Sequence, residues 1–243
     1  MEEVKIGKIN ILKFENKDEA VEYIAKHIVK QIKNKPDSNL GLATGKTMIP
    51  LYKKLVYMYK KNKINFSKTR IFMIDEYIDV KEKNSFRYYL KEHFLSKVNV
   101  KEENQNFLSE ESSCEDYEKK IKDFGGIDLM MLGIGRNGHI AFNEPGSLFS
   151  SRTRIVELKE ETKRVKKKFF KNSKEFPNEA LTIGIGTILE AREIILLAFG
   201  KEKARAIETA LNGEPRVQYP ASALQNHKKT KFIVDKFATS KLL

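Results

Sequence analysis

One stretch of this chain gathers reactive side chains within a few residues: Gly133-Ile134-Gly135-Arg136-Asn137-Gly138-His139-Ile140-Ala141-Phe142-Asn143-Glu144-Pro145. An imidazole exchanges a proton near neutral pH, and a neighbouring polar group must orient it. His139 has Asn137 before it and Glu144 after it as candidates for that role. The glycines allow backbone N–H groups to approach a ligand closely. The chain has four His. His27 and His93 fall in amphipathic patterns and read as structural. His227, in Gln225-Asn226-His227, reads as loop or surface. A metal is the rival use of His139. No second His lies at ligand spacing and Glu144 alone cannot complete a site, so no metal is expected.

Three further clusters carry possible chemistry. Thr44-Gly45-Lys46-Thr47 closes an apolar run and precedes a helical pattern. A helix N-terminus offers N–H donors and a positive dipole end, suited to phosphate, with the Thr hydroxyls and the Lys46 ammonium as added contacts. The alternative is an ordinary strand-to-helix turn with Thr47 as N-cap. The spacing of a P-loop is absent. Asp75-Glu76-Tyr77 follows the run Arg70–Ile74. Side chains alternate along a strand, so one of the two carboxylates is expected at a site; the other reading is a capping or turn acid. Lys203, in Gly200-Lys201-Glu202-Lys203, could reach a phosphate held by the first loop, or be a solvated Lys of a first helical turn. Ser222 and Cys114 have no His at visible pairing, so a nucleophile is not indicated.

The elements that must position these residues can be read from apolar periodicity. Strands are expected at Ile9–Phe14, Leu40–Ala43, Arg70–Ile74, Ile127–Leu132, Arg154–Leu158, Ala180–Ile183, Glu193–Phe199 and Lys231–Val234. Helices are expected at Lys17–Lys33, Met48–Lys60, Ser85–Val98, Glu115–Phe124 and Lys201–Leu211. Several strands are apolar on consecutive residues, as when both faces are covered. The alternation implies an α/β fold of the open, Rossmann-like kind, with a mostly parallel sheet and helices on both faces. No repeat, linker or low-complexity block interrupts residues 1–243, which read as one domain. Ligands of such sheets bind beyond the carboxyl ends of the strands. All four polar clusters lie at such ends and should meet on one rim.

Bulk properties narrow the partners. The chain has 243 residues, 40% hydrophobic, so it can bury a substantial core. Its formal charge of +13 could attract nucleic acid or an anionic membrane. Nine of the 46 basic residues are Arg, however, and the Lys are dispersed, with Lys166-Lys167-Lys168 the densest run. No nucleic-acid or membrane partner is expected; the dispersed charge suits a small anionic substrate. Cys114 is the single cysteine, so no intrachain disulfide can form. No apolar run reaches bilayer length and no signal-peptide pattern opens the chain, so a cytoplasmic protein is expected.

Taken together, these residues resemble the glucosamine-6-phosphate deaminase (isomerase) family. The resemblance lies in Leu40-Gly41-Leu42-Ala43-Thr44-Gly45, Met73-Ile74-Asp75-Glu76-Tyr77, Gly133 to Pro145, Ser151-Arg152-Thr153-Arg154, Ala180 to Thr187 and Pro220-Ala221-Ser222-Ala223-Leu224. These runs span nearly the whole chain in the family's order. The resemblance implies a deaminase/ribose-5-phosphate isomerase-like fold and conversion of glucosamine 6-phosphate and water to fructose 6-phosphate and ammonia, without a cofactor. It implies that His139 opens the sugar ring, that Asn137 and Glu144 tune it, and that Asp75 carries a proton between C2 and C1. It gives the 6-phosphate to Thr44, Gly45, Lys46, Thr47, Lys168 and Lys203. Relatives include monomers and hexamers, so the number of subunits stays open.

Some positions depart from the family pattern. Asn137 stands where some members, including allosteric ones, have Asp; an amide keeps a hydrogen bond but not the charge. Lys168 replaces a usual Arg and so lacks its bidentate fork. Lys46 and Met48 replace a small residue and a proline. Ser147, Arg152 and Arg154 match part of an allosteric phosphate site, but Val156 replaces its Lys and the chain ends early, so regulation by N-acetylglucosamine 6-phosphate is not expected. Rival readings are galactosamine-6-phosphate deamination, 6-phosphogluconolactonase and a non-catalytic sugar-phosphate sensor. Tyr77 and the run Ile140–Pro145 disfavour the lactonase. The sensor class carries an added DNA-binding segment, for which a first strand at Ile9 leaves no room.

Overall fold

Two β-sheets of unequal size carry the chain in a computed structural model that describes residues 1–160, 162–163 and 176–242. The elements are β1 (Glu2–Ile6), β2 (Ile9–Phe14), α1 (Lys17–Asn34), β3 (Asn39–Leu42), α2 (Ile49–Lys60), β4 (Arg70–Met73), β5 (Asp75–Tyr77), α3 (Phe86–His93), β6 (Gln105–Asn106), α4 (Cys114–Asp123), β7 (Leu129–Gly133), β8 (Arg154–Glu157), β9 (Glu179–Thr182), α5 (Ile185–Leu189), β10 (Ile194–Ala198), α6 (Ala204–Leu211) and β11 (Thr230–Asp235). The large sheet has the order β1-β2-β11-β10-β7-β3-β4-β6. From β2 to β6 every pairing in it is parallel.

The central strands are Leu-, Ile- and Met-rich and buried throughout: Ile194 to Ala198 and Leu129 to Leu132. That is the composition required when helices cover both faces. The connections through α1 and α2 step from β2 to β3 to β4 in one direction, whereas α6 joins β10 to β11 in the other. Right-handed crossovers therefore put α1 and α2 on one face and α6 on the opposite one. The helix α1 starts where Asn16 accepts the N–H of Glu19 at 3.0 Å and donates to the Glu19 carboxylate at 2.8 Å. This reciprocal cap resembles a capping box.

The order also fixes a switch point. From β3 the chain moves outward through β4 to β6, then returns to β7 on the other side of β3 and continues to β10 and β11. The crevice beyond the carboxyl ends of β3 and β7 is where open α/β sheets bind ligands. The expected clusters leave the sheet at four neighbouring strands, β10, β7, β3 and β4.

The structure departs from the sequence reading in several elements. The hairpin partner β1 precedes the expected first strand and runs antiparallel to it. The segments Arg154–Leu158 and Ala180–Ile183 are strands, but they belong to a separate antiparallel sheet of order β5-β9-β8. Alternation of apolar residues marks a strand without marking its sheet. The acids Asp75 and Glu76, expected to end the strand Arg70–Ile74, are part of that small sheet. The expected helix Ser85–Val98 stops at His93, and a 3-10 turn follows at Leu95–Lys97. In α2 the cap position is Met48, without a side-chain hydrogen bond, so Thr47 is not the N-cap. His227 is buried, not a surface residue: Nδ1 pairs with the Thr230 hydroxyl at 3.0 Å and Nε2 with the Ala191 carbonyl at 2.7 Å.

Candidate active site

The loop after β7 doubles back so that three of its polar side chains meet. Gly138 at φ 83° and Ala141 at φ 51° provide left-handed turns. The Gly135 N–H donates to the His139 carbonyl at 2.9 Å. A Cβ at Gly135 would stand 2.3 Å from two atoms of the His139 ring, so the imidazole lies directly against bare backbone. No side chain larger than hydrogen fits beneath it.

Within this fold His139 Nδ1 is 2.7 Å from Asn137 Oδ1, and Asn137 Nδ2 donates to Glu144 Oε2 at 2.7 Å. The other carboxylate oxygen, Oε1, accepts the Thr162 hydroxyl. A carboxylate only accepts, so the amide group of Asn137 must face Glu144 and its carbonyl oxygen must face the ring. Nδ1 then carries the proton and Nε2 is left as the basic nitrogen. Glu144 Oε2 lies 3.6 Å from Nδ1, an ion-pair distance rather than a hydrogen bond. Burial pushes the Glu144 carboxyl up, but His139, Thr162 and Asn137 together outweigh it and hold it at about 2. The group is an anion throughout the neutral range.

The small sheet fastens this loop to the acidic pair. Phe142 N–H donates to the Thr182 hydroxyl at 3.1 Å, and Thr182 is the register partner of Asp75. Asn143 Nδ2 donates to the carbonyls of Ile140 and Ile183 at 3.1 and 2.9 Å. The Phe142 ring stacks on Phe86 and tilts against Tyr77, with centroids 5.8 and 5.3 Å away. Asp75 and Glu76 are both buried, but they do different things. The Glu76 carboxylate accepts the N–H groups of Tyr77, Phe86 and Arg87 at 2.7–2.8 Å and so caps α3. Burial raises its pKa, and those three bonds only partly offset the shift. Of the two acids, Glu76 takes the capping role.

The remaining expected residues converge less directly. The Lys203 ammonium donates to the Ile134 carbonyl at 2.6 Å, which brings the β10 rim onto the β7 loop. The segment 44–47 follows β3, turning at Gly45 with φ 100°, and Gly45 and Lys46 are exposed. Lys168 lies outside the described residues. Thr162 was not anticipated: it is 18 residues from Glu144 and no local motif announces it. The partial phosphate-site match is engaged internally. Arg152 pairs with Glu190 at 2.6 and 3.0 Å and with Glu118 at 2.9 Å, and Arg154 donates to Asn143 Oδ1 at 2.9 Å and Ser147 Oγ at 3.3 Å. Among the described residues no group of three or more His, Cys, Asp or Glu could hold a metal.

The chain matches the family described as glucosamine-6-phosphate isomerases/6-phosphogluconolactonase over residues 14–233. It belongs to that family. Within it, the chain is 44% identical over 232 residues to a glucosamine-6-phosphate deaminase of Clostridium acetobutylicum, covering 93% of this chain and 96% of the relative. It is 44% identical over 229 residues to glucosamine-6-phosphate deaminase 2 of Giardia intestinalis, covering 91% and 87%. A solved structure of a monomeric glucosamine-6-phosphate deaminase superposes with TM-score 0.91 at 34% identity, covering 95% of this chain and 99% of that one. The 6-phosphogluconolactonase of Trypanosoma brucei, at 19% identity and TM-score 0.75 over 96% and 98% of the two chains, shares the fold. The α/β fold of the family is the one expected from the sequence, extended by the small antiparallel sheet. Among the described residues no helix is long and apolar enough to cross a membrane.

Proposed function

We propose that this chain converts glucosamine 6-phosphate and water to fructose 6-phosphate and ammonia, with residues 1–243 acting as one amino-sugar-phosphate deaminase domain in the cytoplasm. The observation that carries the reading is the Asn137–His139–Glu144 network at the switch point, with Nε2 as the basic nitrogen. Its relatives of 42–44% identity carry the deaminase name.

The chemistry follows from the residues. His139 takes the proton of the O1 hydroxyl and returns it to the ring oxygen, which opens the sugar to its aldehyde. Asn137 and the anionic Glu144 keep the ring oriented and stabilise the imidazolium that forms on the way. Asp75 then removes the C2 proton, acidified by the adjacent carbonyl, and an enolamine forms. Reprotonation at C1 yields a C2 imine. Water adds to that carbon and ammonia departs, leaving the ketone. The segment Thr44–Thr47, with Lys203, is assigned to the 6-phosphate. It precedes the α2 N-terminus, where the helix dipole favours an anion. Lys168 is assigned there by family resemblance. No cofactor enters any step.

The test is ammonia release from glucosamine 6-phosphate, galactosamine 6-phosphate and, for acid release, 6-phosphogluconolactone. Ammonia from the glucosamine sugar, exceeding that from its C4 epimer, is expected. Acid from the lactone without ammonia from either sugar would overturn the proposal.

A further inference from the structure

Two tyrosines lie behind the segment 44–47, and each donates its hydroxyl to a backbone carbonyl of the same turn. The Tyr89 hydroxyl donates to the Gly45 carbonyl at 2.7 Å, and the Tyr52 hydroxyl donates to the Ala43 carbonyl. The two rings meet edge to face, with centroids 6.3 Å apart. Tyr52 is fully buried and stacks on Phe94 at 5.4 Å. Tyr89 sits on α3, one turn past the helix start that Glu76 caps. Both phenols are therefore held by rigid elements rather than by the turn they contact.

A trans peptide is planar, and its N–H points opposite to its C=O. Holding the Ala43 carbonyl against Tyr52 aims the Thr44 N–H away from the tyrosines. Holding the Gly45 carbonyl against Tyr89 does the same for the Lys46 N–H. Both donors are thereby turned toward the far side of the turn. Gly45, at φ 100°, supplies the left-handed conformation between the Thr44–Gly45 plane and the Gly45–Lys46 plane, so that the first and third planes of the turn can be oriented in this way. Burial pushes both phenol pKa values up, so each hydroxyl keeps its proton and remains a donor over the whole neutral range.

We infer that Tyr52 and Tyr89 are positioning residues for the substrate's phosphate: they orient the peptide planes of residues 43–46 so that backbone N–H groups receive the anion. The inference rests on assigning this segment to the 6-phosphate. It adds a link between the two halves of the site. Glu76, the neighbour of Asp75, caps the helix whose Tyr89 steadies the phosphate turn, so α3 sets the distance between the phosphate and the proton-transfer carboxylate.

The experiment compares wild-type protein with Tyr89→Phe, which removes one hydroxyl and keeps the ring. One lost hydrogen bond predicts that the KM for glucosamine 6-phosphate and the inhibition constant of inorganic phosphate both rise about five-fold. The kcat should stay within about two-fold, because the groups that move protons are untouched. Tyr52→Phe should shift the same two constants in the same direction, and gives a second reading if either variant folds poorly. A KM and phosphate inhibition constant unchanged in both folded variants, or a kcat that falls at constant KM, would overturn the inference. A wild-type protein that releases no ammonia would instead overturn the deaminase reading, and that is measured first.

Discussion

Two glutamates at opposite ends of the large sheet share a pKa of about 2 and a histidine neighbour, yet only one belongs to a candidate site. Glu193, before β10, pairs with His27 of α1 at 3.0 Å and with Lys231 of β11 at 2.7 Å. Glu144, beyond β7, receives Asn137 and Thr162 and stands 3.6 Å from His139. In both, burial raises the carboxyl and the partners outweigh it. The perturbed acid is therefore not what distinguishes the site. At the amino rim the Lys231 ammonium and the His27 ring meet the carboxylate directly, and His27 spends Nε2 on it. At the carboxyl rim a neutral amide stands between acid and imidazole, and the ring is engaged through Nδ1 rather than Nε2. The first arrangement closes a surface between helix and sheet; the second holds the His139 ring through Nδ1 in the loop that follows β7. Asp128 repeats the amino-rim pattern, taking Lys35 and Arg192 at 2.6–2.9 Å and the Asn39 N–H at 2.8 Å.

That contrast can be broken or sharpened by mutation. The largest loss is expected from Asp75→Asn at the carboxyl rim, about 10³-fold in kcat, since it removes the base for C2. In deuterium oxide the wild type should place solvent deuterium at C1 of fructose 6-phosphate, and the variant should incorporate label and release ammonia at the same reduced rate. Gly135→Ala comes next. Its Cβ would enter the His139 ring position, and displacing the imidazole by about 1 Å should cost roughly a hundredfold in kcat, measured alongside a thermal melt. The smallest effect on turnover belongs to the amino rim: Glu193→Gln should leave kcat within about two-fold.

The same substitution should change acid stability. A carboxyl held at about 2, below its ordinary 4.5, contributes stability that is present above 4.5 and lost as the pH falls toward 2. Urea titrations across that window should show a steeper decline for the wild type than for Glu193→Gln. Identical slopes would mean that the Glu193 cluster does not stabilise the folded chain.

How much of this was legible in the sequence depends on where the partners lie. Asn137, His139 and Glu144 share one loop, so residue types and spacing sufficed to group them. The alternation of side chains along a strand separated Asp75 from Glu76, although it did not announce that Glu76 caps α3. Thr162 was invisible because it meets Glu144 across 18 residues of sequence, with no local motif joining them. The small sheet was hidden for a related reason. Its strands read correctly as strands, but pairing direction is set by the tertiary path around β5. His227 lies outside any helix or strand, as one of its two readings held, but its burial was not legible because its neighbours Gln225, Asn226 and Lys228 are polar, while its imidazole is satisfied by Ala191 and Thr230. The segment 44–47 does follow β3 as expected, but the tyrosines that donate to its carbonyls come from α2 and α3 and carry no local signal.

The most direct measurement of the central claim pairs the two histidines. Ammonia release from glucosamine 6-phosphate should fall at least about a hundredfold in His139→Gln, while His27→Gln stays within about two-fold of the wild type. Equal activity in the two variants, or a greater loss from His27→Gln, would contradict the account.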